Sequence, residues 1–328
     1  MTGRRFNMSP SLDEKWIFDS LMSGQDFSAK IKRITEIFDE YSMTAKPQYS
    51  GLAVVGTDLD RTMVYSQNSM QVEEGLKDDL LFKVVEMYEK RPLSYMTSPA
   101  YINLEIINSH AHLVPVTTRT EKQFKRIKIP GTTKADFTSD RKQYAVTTNG
   151  ANILVNGVVD PEWAEKISSG FEGDVGTVEE VNQYLKQFKK SSWVKDYRNA
   201  DGFFFYMVID RAEAPEHTLK EIRATIDAFN WSTSLQGRKI YFVPNFINKG
   251  VAFAEVVKRV GGDYSIGCGD SLLDIPLMEV ADISIRPSHG ELEDVGYTAE
   301  NNVTTKHSGI FAGEEITARI LAQVYSGN

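Results

Sequence analysis

Short apolar segments typical of strands alternate with amphipathic segments typical of helices in the first and last parts of this chain. "GLAVVGT" at 51–57 and "YSIGCG" at 264–269 have the apolar character of buried strands, and "KGVAFAEVVKRV" at 249–260 has helical spacing. Such alternation predicts an α/β fold with a mostly parallel sheet and helices on both faces. Folds of this kind bind ligands beyond the carboxyl ends of their strands. We therefore expect the chemistry of this protein at one edge of its sheet.

The block at about 158–242 interrupts the alternation with helices and strands of its own. We interpret it as an inserted α/β domain, which leaves a core made of residues 50–157 and 243–328. Residues 11–46 show apolar side chains at three- and four-residue spacing, and we interpret residues 1–49 as a helical N-terminal extension. Residues 82–96 are expected to form a β-hairpin.

The composition excludes several classes of function. The chain has 37 Lys and Arg against 45 Asp and Glu among 328 residues, a net charge of −8, which argues against nucleic acid as a partner. No apolar run of about 18 residues is present, so no membrane span is expected. Cys268 is the single cysteine, which excludes a disulfide framework and fits a reducing, cytoplasmic location.

Charged and hydroxyl side chains follow the ends of several predicted strands, and a lysine begins a predicted helix. They are Asp58, Asp60, Thr117, Thr118, Lys249, Asp270 and Asp274. Taken singly, each has an ordinary explanation, because aspartate and threonine cap turns and helices and lysine is most often on the surface.

Together these side chains indicate phosphate chemistry. Carboxylates that converge on one sheet edge repel each other unless a cation lies between them. Mg²⁺ prefers such oxygen ligands, and with a lysine it would attract a phosphate group. One carboxylate can then attack phosphorus, and a second can transfer the proton of the leaving oxygen.

The ordered set "DLDRT", "VTTRT", "NKG" and "GDSLLD" resembles the four signature motifs of the haloacid dehalogenase superfamily, which is mostly phosphatases. The resemblance covers about 50–328. The position and length of the inserted block, and "TTNGANI" before it, are similar to the Cof-type and sucrose-phosphate phosphatases with a type IIB cap. The resemblance implies a Rossmann-like core and a cap at 158–242 that covers the pocket and selects the leaving group.

The resemblance also implies roles for single residues. Asp58 matches the nucleophile and a Mg²⁺ ligand, and Asp60 matches the general acid/base, whose main-chain carbonyl also reaches the metal. Thr117 matches the hydroxyl that holds the phosphoryl group, and Lys249 matches the lysine that pairs with Asp58. Asp270 matches the metal ligand of the last motif.

Further residues belong to the same motifs. Asp274 matches the partner of Asp270, either as a ligand or as a supporting carboxylate. Arg119 matches an arginine of many Cof-type relatives, and with Thr118 it is the expected substrate contact from the core.

Two features depart from the family pattern. Arg61 stands where most relatives have glycine, and it either forms a surface salt bridge or lines the mouth of the site. The segment between Thr62 and Thr97 is also longer than usual. Its predicted hairpin could serve as an additional flap or as an edge for dimerisation, so a monomer and a homodimer both stay open.

The leading hypothesis is a Mg²⁺-dependent phosphatase that acts on a small phosphorylated metabolite such as a sugar phosphate, through an aspartyl-phosphate. A phosphotransferase or mutase of the phosphomannomutase type is the alternative, and a non-catalytic binding protein on the same fold is the third. Several side chains of the cap could contact the substrate, although packing within the cap explains each equally well. They are Phe204, Tyr206, Trp231, Asn245 and Phe246.

Overall fold

The computed structural model describes residues 49–72, 82–132 and 141–326 of the chain. The helical extension predicted for 1–49 lies outside these ranges, apart from its last residue.

The strands follow one another from β1 near the first described residues to β14 near the last. In chain order they are β1 (Ala53–Thr57), β2 (Phe82–Tyr88), β3 (Arg91–Thr97), β4 (His112–Pro115), β5 (Tyr144–Thr147), β6 (Asn152–Val155), β7 (Val158–Val159), β8 (Val194–Ala200), β9 (Phe204–Ile209), β10 (Trp231–Gln236), β11 (Lys239–Pro244), β12 (Tyr264–Cys268), β13 (Ile283–Arg286) and β14 (Asn302–Thr304).

The helices range from one turn to almost five turns in length. They are α1 (Ser98–His110), α2 (Glu121–Phe124), α3 (Pro161–Ser169), α4 (Val178–Lys186), α5 (Glu216–Ala228), α6 (Lys249–Val260), α7 (Ile275–Glu279), α8 (Glu291–Asp294) and α9 (Ile310–Ser326). Within the described ranges, none of them is long and apolar enough to cross a membrane.

The centre of the fold is a parallel five-stranded sheet in the order β14-β13-β12-β1-β4. All five residues of β1 are buried, as expected for a strand covered on both faces. Ala53 and Val55 pack into the apolar cluster that includes α1 and α9, whereas Val54 packs into the cluster that includes α6. Successive side chains of a strand point to opposite faces, so helices cover both sides of the sheet and the predicted fold class is confirmed.

A second sheet, antiparallel and in the order β10-β11-β9-β8, is formed between β7 and α6 in the chain. The apolar runs "FFYMVI" and "IYFVP" in the sequence correspond to β9 and β11, whereas no such run marks β8 and β10, which are the two edge strands. Both carry many polar side chains and are only partly buried. Edge strands commonly have this character, and it hides them from a search for apolar runs.

The hairpin predicted at 82–96 is present as β2 and β3. Glu89 and Lys90 form its turn with φ values of 49° and 64°, the left-handed conformation that two-residue hairpin turns prefer. The register shifts around Val85 and Glu86, which marks a β-bulge. Successive residues of a regular strand point to opposite faces, but the bulge interrupts this alternation, so Val85 and Glu86 are both buried.

Two glycines allow close approaches of the chain around the sheet edge. A Cβ at Gly250, in the first turn of α6, would lie 2.2 Å from the carbonyl oxygen of Pro276. A Cβ at Gly269, directly after β12, would lie 2.2 Å from Cβ of Asp274. Only glycine fits at these positions, so both contacts fix where Lys249 and Asp270 lie.

Candidate active site

Asp58 and Asp270 lie beside each other at the carboxyl ends of two neighbouring strands. Asp58 follows β1, and its backbone N–H donates to the carbonyl of Cys268 at the end of β12, over 2.8 Å. Asp270 follows β12 after Gly269. The two side chains are buried, at 4% and 5% exposure. The parallel register therefore brings together two motifs more than 200 residues apart in sequence.

Lys249 connects the nucleophile candidate to the last motif. Its Nζ lies 2.5 Å from Oδ1 of Asp58 and 2.5 Å from Oδ1 of Asp274, and the lysine is 1% exposed. Oδ2 of Asp274 accepts hydrogen bonds from the backbone N–H groups of Asp270 and Ser271 and from the Ser271 hydroxyl. Asp274 therefore holds both Lys249 and the loop that carries Asp270.

Carboxylate oxygens of Asp58, Asp270 and Asp274 all lie within 4.8 Å of one another. Burial raises the pKa of Asp58 to about 7, against the opposing effect of Lys249. Burial, together with the charges of Asp274 and Asp58, also raises the pKa of Asp270. A cluster with this charge excess and hard oxygen donors fits a divalent cation such as Mg²⁺.

Asp60 pairs with Arg119. Nε of Arg119 lies 2.7 Å from Oδ2 of Asp60, and Nη2 lies 2.8 Å from Oδ1. Partial burial would raise the pKa of Asp60, whose side chain is 46% exposed, but Arg119 outweighs this effect and lowers the pKa to about 2. In this arrangement Asp60 is ionised, and it must leave Arg119 before it can hold a proton.

Glu86 of the hairpin supports Arg119 from the other side. Its carboxylate accepts hydrogen bonds from Nη1 of Arg119 at 2.8 Å, from Nε of Arg126 at 2.9 Å and from the Ser94 hydroxyl at 2.7 Å. Glu86 is only 2% exposed. Burial opposes its ionisation, but the arginines and Ser94 keep its pKa below the ordinary value.

Glu86 and Ser94 belong to none of the motifs that predicted site residues from the sequence. The available signal was a glutamate inside a predicted strand, directly after the four residues "FKVV", at a position that the bulge turns inward. A charged side chain inside an apolar strand has to find a partner, because burying it alone is costly.

The two threonines of the second motif follow β4. Thr117 is fully buried; its backbone N–H donates to Val146, and its hydroxyl accepts from the backbone N–H of Arg119 at 3.2 Å. Thr118 is partly buried and lines a cavity beside Asp60.

That cavity has a volume of about 260 Å³ and lies between the core, the hairpin and the second sheet. The second sheet contributes Tyr206, Lys239 and Tyr241. Among the substrate candidates of the sequence interpretation, Tyr206 is thus at the cavity, whereas Phe204 and Trp231 are buried in the apolar cluster.

The other two candidates lie elsewhere. Asn245 lines a separate cavity between the second sheet and the loop at 272–276, and Phe246 packs edge-on against Phe171.

Glu291 of α8 joins the second sheet to the last motif. Its carboxylate accepts hydrogen bonds from the Ser234 hydroxyl and the Leu235 N–H of β10, and also from the Leu272 N–H. Gln236 of β10 donates to the hydroxyl of Ser271, next to Asp270. The second sheet is therefore connected directly to the loop of the acidic cluster.

Comparison with solved structures identifies the architecture. The sucrose-phosphatase of Synechocystis sp. PCC6803, solved with sucrose and phosphate, superposes with a TM-score of 0.52 at 15% identity, over 83% of this chain and 98% of that one. This chain has the haloacid dehalogenase fold. A Thermoplasma acidophilum protein superposes with a TM-score of 0.50 at 9% identity, over 83% of this chain and 99% of that one. No protein-family model and no curated protein matches the sequence.

Within this haloacid dehalogenase fold, every motif residue named above lies at or near one end of the parallel sheet. Asp58, Lys249, Asp270 and Asp274 form one group, and Asp60 and Arg119 form a second group at the adjoining cavity. Arg61, for which two interpretations were open, has Nε 3.7 Å from Oδ2 of Asp270 with its side chain 32% exposed. It therefore forms a salt bridge, and the partner is a buried carboxylate of the acidic cluster.

Proposed function

We propose that the protein is a metal-dependent phosphatase that hydrolyses a small phosphomonoester, with a sugar phosphate as the favoured class of substrate. The observation that carries the proposal is the position of Lys249 Nζ, 2.5 Å from both Asp58 and Asp274, beside the buried carboxylate of Asp270. A surplus of buried carboxylates around one lysine suits a site that takes a cation and then a phosphate.

In the first step, a carboxylate oxygen of Asp58 attacks phosphorus, and the bond from phosphorus to the leaving alcohol oxygen breaks. Asp60, protonated after leaving Arg119, gives its proton to that oxygen. Lys249 orients Asp58 and neutralises charge on the phosphoryl oxygens, and Thr117 donates a hydrogen bond to one of them.

In the second step, the oxygen of a water molecule attacks phosphorus, and the bond from phosphorus to the carboxylate oxygen of Asp58 breaks. Asp60, now a carboxylate, accepts the proton of the water, and inorganic phosphate and free Asp58 result. The pairing of Asp60 with Arg119 favours the ionised form of Asp60, which this step requires.

Mg²⁺ held by Asp58, Asp270, Asp274 and the main-chain carbonyl of Asp60 would supply positive charge to the phosphoryl oxygens.

We propose that residues 158–242 form a cap over this site, on a core made of 50–157 and 243–328. The 260 Å³ cavity lies between the two parts, and Tyr206, Lys239 and Tyr241 would contact the leaving group there. Phenol and ammonium groups hydrogen-bond well to the hydroxyls of a sugar. The fold likeness to a sucrose-phosphatase supports the same class of substrate.

The test is phosphate release from a panel of phosphorylated metabolites and an aryl phosphate, with Mg²⁺ and with a chelator. We expect Mg²⁺-dependent release, which Asp58→Asn abolishes and which Asp227→Asn, an exposed aspartate on α5, leaves unchanged. Full turnover in Asp58→Asn would remove Asp58 from its role. Isomerisation of a phosphosugar without release of phosphate would replace the phosphatase by a mutase.

A further inference from the structure

Arg61 has a backbone conformation that disfavours any residue with a side chain. Its φ is 66°, in the left-handed region where Cβ approaches the following carbonyl. The turn holds it there: the Arg61 N–H donates to the carbonyl of Val64 at 2.9 Å, and Nε2 of His289 donates to the Arg61 carbonyl at 2.8 Å. Nδ1 of His289 in turn accepts from the N–H of Gly309, which fixes the tautomer. An arginine is therefore present at a position whose backbone suits glycine.

The side chain of Arg61 extends to the acidic cluster. The 3.7 Å between Nε and Oδ2 of Asp270 is a charge contact that is longer than a hydrogen bond. Within the described residues, the guanidinium donates no hydrogen bond to a protein acceptor. About a third of the side chain is exposed, whereas Asp270 is buried. The guanidinium thus lies on the solvent side of the cluster with its donors available.

The charges around Arg61 indicate what those donors can bind. When Asp58, Asp270 and Asp274 are ionised, Lys249 leaves two negative charges, and Arg61 reduces this to one. A divalent cation at the carboxylates then gives the site a net charge of about +1. Without Arg61, the same cation would only neutralise the cluster. A phosphate dianion is attracted to a site with net positive charge.

We propose that Arg61 is a phosphate-binding residue that exchanges partners: it pairs with Asp270 in the free protein and with a phosphoryl oxygen once a cation engages Asp270. This inference rests on the proposed function for its substrate, a phosphate ester. Arginine suits the task, because its planar fork binds phosphate oxygens at two points and is less strongly hydrated than an ammonium.

The exchange has a measurable consequence in each direction. Because Arg61 and the cation compete for Asp270, removal of the guanidinium should tighten Mg²⁺ binding. Because Arg61 and the cation both attract the phosphate, its removal should weaken phosphate binding to the Mg²⁺-loaded protein. A residue with only a structural role in the turn would change neither affinity.

The experiment is calorimetric titration of the full chain with Mg²⁺ alone, and then of the Mg²⁺-loaded protein with inorganic phosphate. The variants are Arg61→Gly, which suits the left-handed backbone and so preserves the fold, and Arg61→Lys, which keeps the charge without the fork. Lys90→Gly is the matched control, because Lys90 is an exposed cation at a φ of 64° in the hairpin turn.

For Arg61→Gly we expect the Kd of phosphate to rise about 10- to 100-fold, as for the loss of a charge-assisted hydrogen bond. The Kd of Mg²⁺ should fall about 3- to 10-fold, as for the removal of one like charge at several ångströms. Arg61→Lys should lie between Arg61→Gly and the wild type, and Lys90→Gly should match the wild type.

An unchanged phosphate Kd in Arg61→Gly, an unchanged Mg²⁺ Kd, or equal shifts in Lys90→Gly would each overturn the inference. Failure of the proposed function gives a different result: the expected shifts in both Kd values, with no phosphate released from any ester by the wild type. A loaded wild-type protein that binds no phosphate would contradict both.

Discussion

Arg119 and Asp60 form a two-point ion pair, and the same guanidinium reaches Glu86 in a separate part of the chain. The pair connects the first motif to the second, and Glu86 connects both to the hairpin. Arg119 therefore keeps Asp60 ionised, and Glu86 in turn fixes the position of Arg119. The proposed acid/base residue thus depends on two residues outside its own motif.

Arg119→Lys is expected to reduce phosphate release about 10- to 100-fold, because an ammonium cannot form both bonds to Asp60 and also reach Glu86. Steady-state measurement of kcat and KM checks this. Arg198→Lys is the control, since Arg198 pairs with Asp196 on the exposed side of β8. Equal rates for wild type and Arg119→Lys would show that the two-point pair is not required.

Glu86→Gln is expected to lower the free energy of unfolding by about 3 kcal/mol. The substitution removes the buried negative charge that pairs with both Arg119 and Arg126. Urea denaturation measures the change. Glu216→Gln is the comparison, since its pair with Lys220 is exposed and such pairs contribute little. An equal loss of unfolding free energy in both variants would show that the buried Glu86 network contributes no more to stability than an exposed ion pair.

Glu315 is expected to make stability depend on pH. It is fully buried and accepts hydrogen bonds from the Lys306 and His307 N–H groups, the His307 ring and Arg319. Burial opposes ionisation, but these donors keep its pKa below the ordinary 4.5. A lowered pKa stabilises the folded protein above pH 4.5, and this contribution is lost as the pH falls through the folded value.

Glu315→Gln should therefore unfold more easily than wild type at pH 7, by about 2 kcal/mol, and the difference should shrink below pH 4.5. Urea denaturation at several pH values tests this, with Glu300→Gln as an exposed control. A difference that stays constant down to pH 3 would contradict the role of the Glu315 charge.

Gly250→Ala is expected to reduce phosphate release by about 100-fold, because the new methyl would collide with the Pro276 carbonyl oxygen at 2.2 Å and displace Lys249. The free energy of unfolding should fall by about 1–3 kcal/mol. Gly173→Ala is the control, since the nearest atom to its Cβ would be 3.8 Å away. Normal turnover in Gly250→Ala would mean that the start of α6 can shift without effect.

The sequence predicted those parts of the fold whose pattern is local. The buried strand β1 and the amphipathic helix α6 have clear periodicity, and the motif residues follow directly from strand ends. Edge strands such as β8 have no apolar run, because water covers one side of them. The partners of Glu86 depend on a bulge and on contacts between distant segments, which no local pattern encodes.

The contacts of Arg61 also could not be predicted from the sequence. A sequence alone identifies that an arginine stands at an unusual place. Whether the Arg61 side chain contacts solvent or Asp270 depends on the positive φ of Arg61 and on His289, which lies 228 residues away in sequence.

The central position of β1 sets an order of events during synthesis. Its neighbour on one side, β4, is made soon after it, but its other neighbour, β12, follows only after roughly 200 further residues. At a synthesis rate of about 10 residues per second, one edge of β1 stays unpaired for about 20 seconds. An unpaired apolar strand is prone to aggregation. The nascent chain therefore passes through a period in which its central strand lacks one of its two partners.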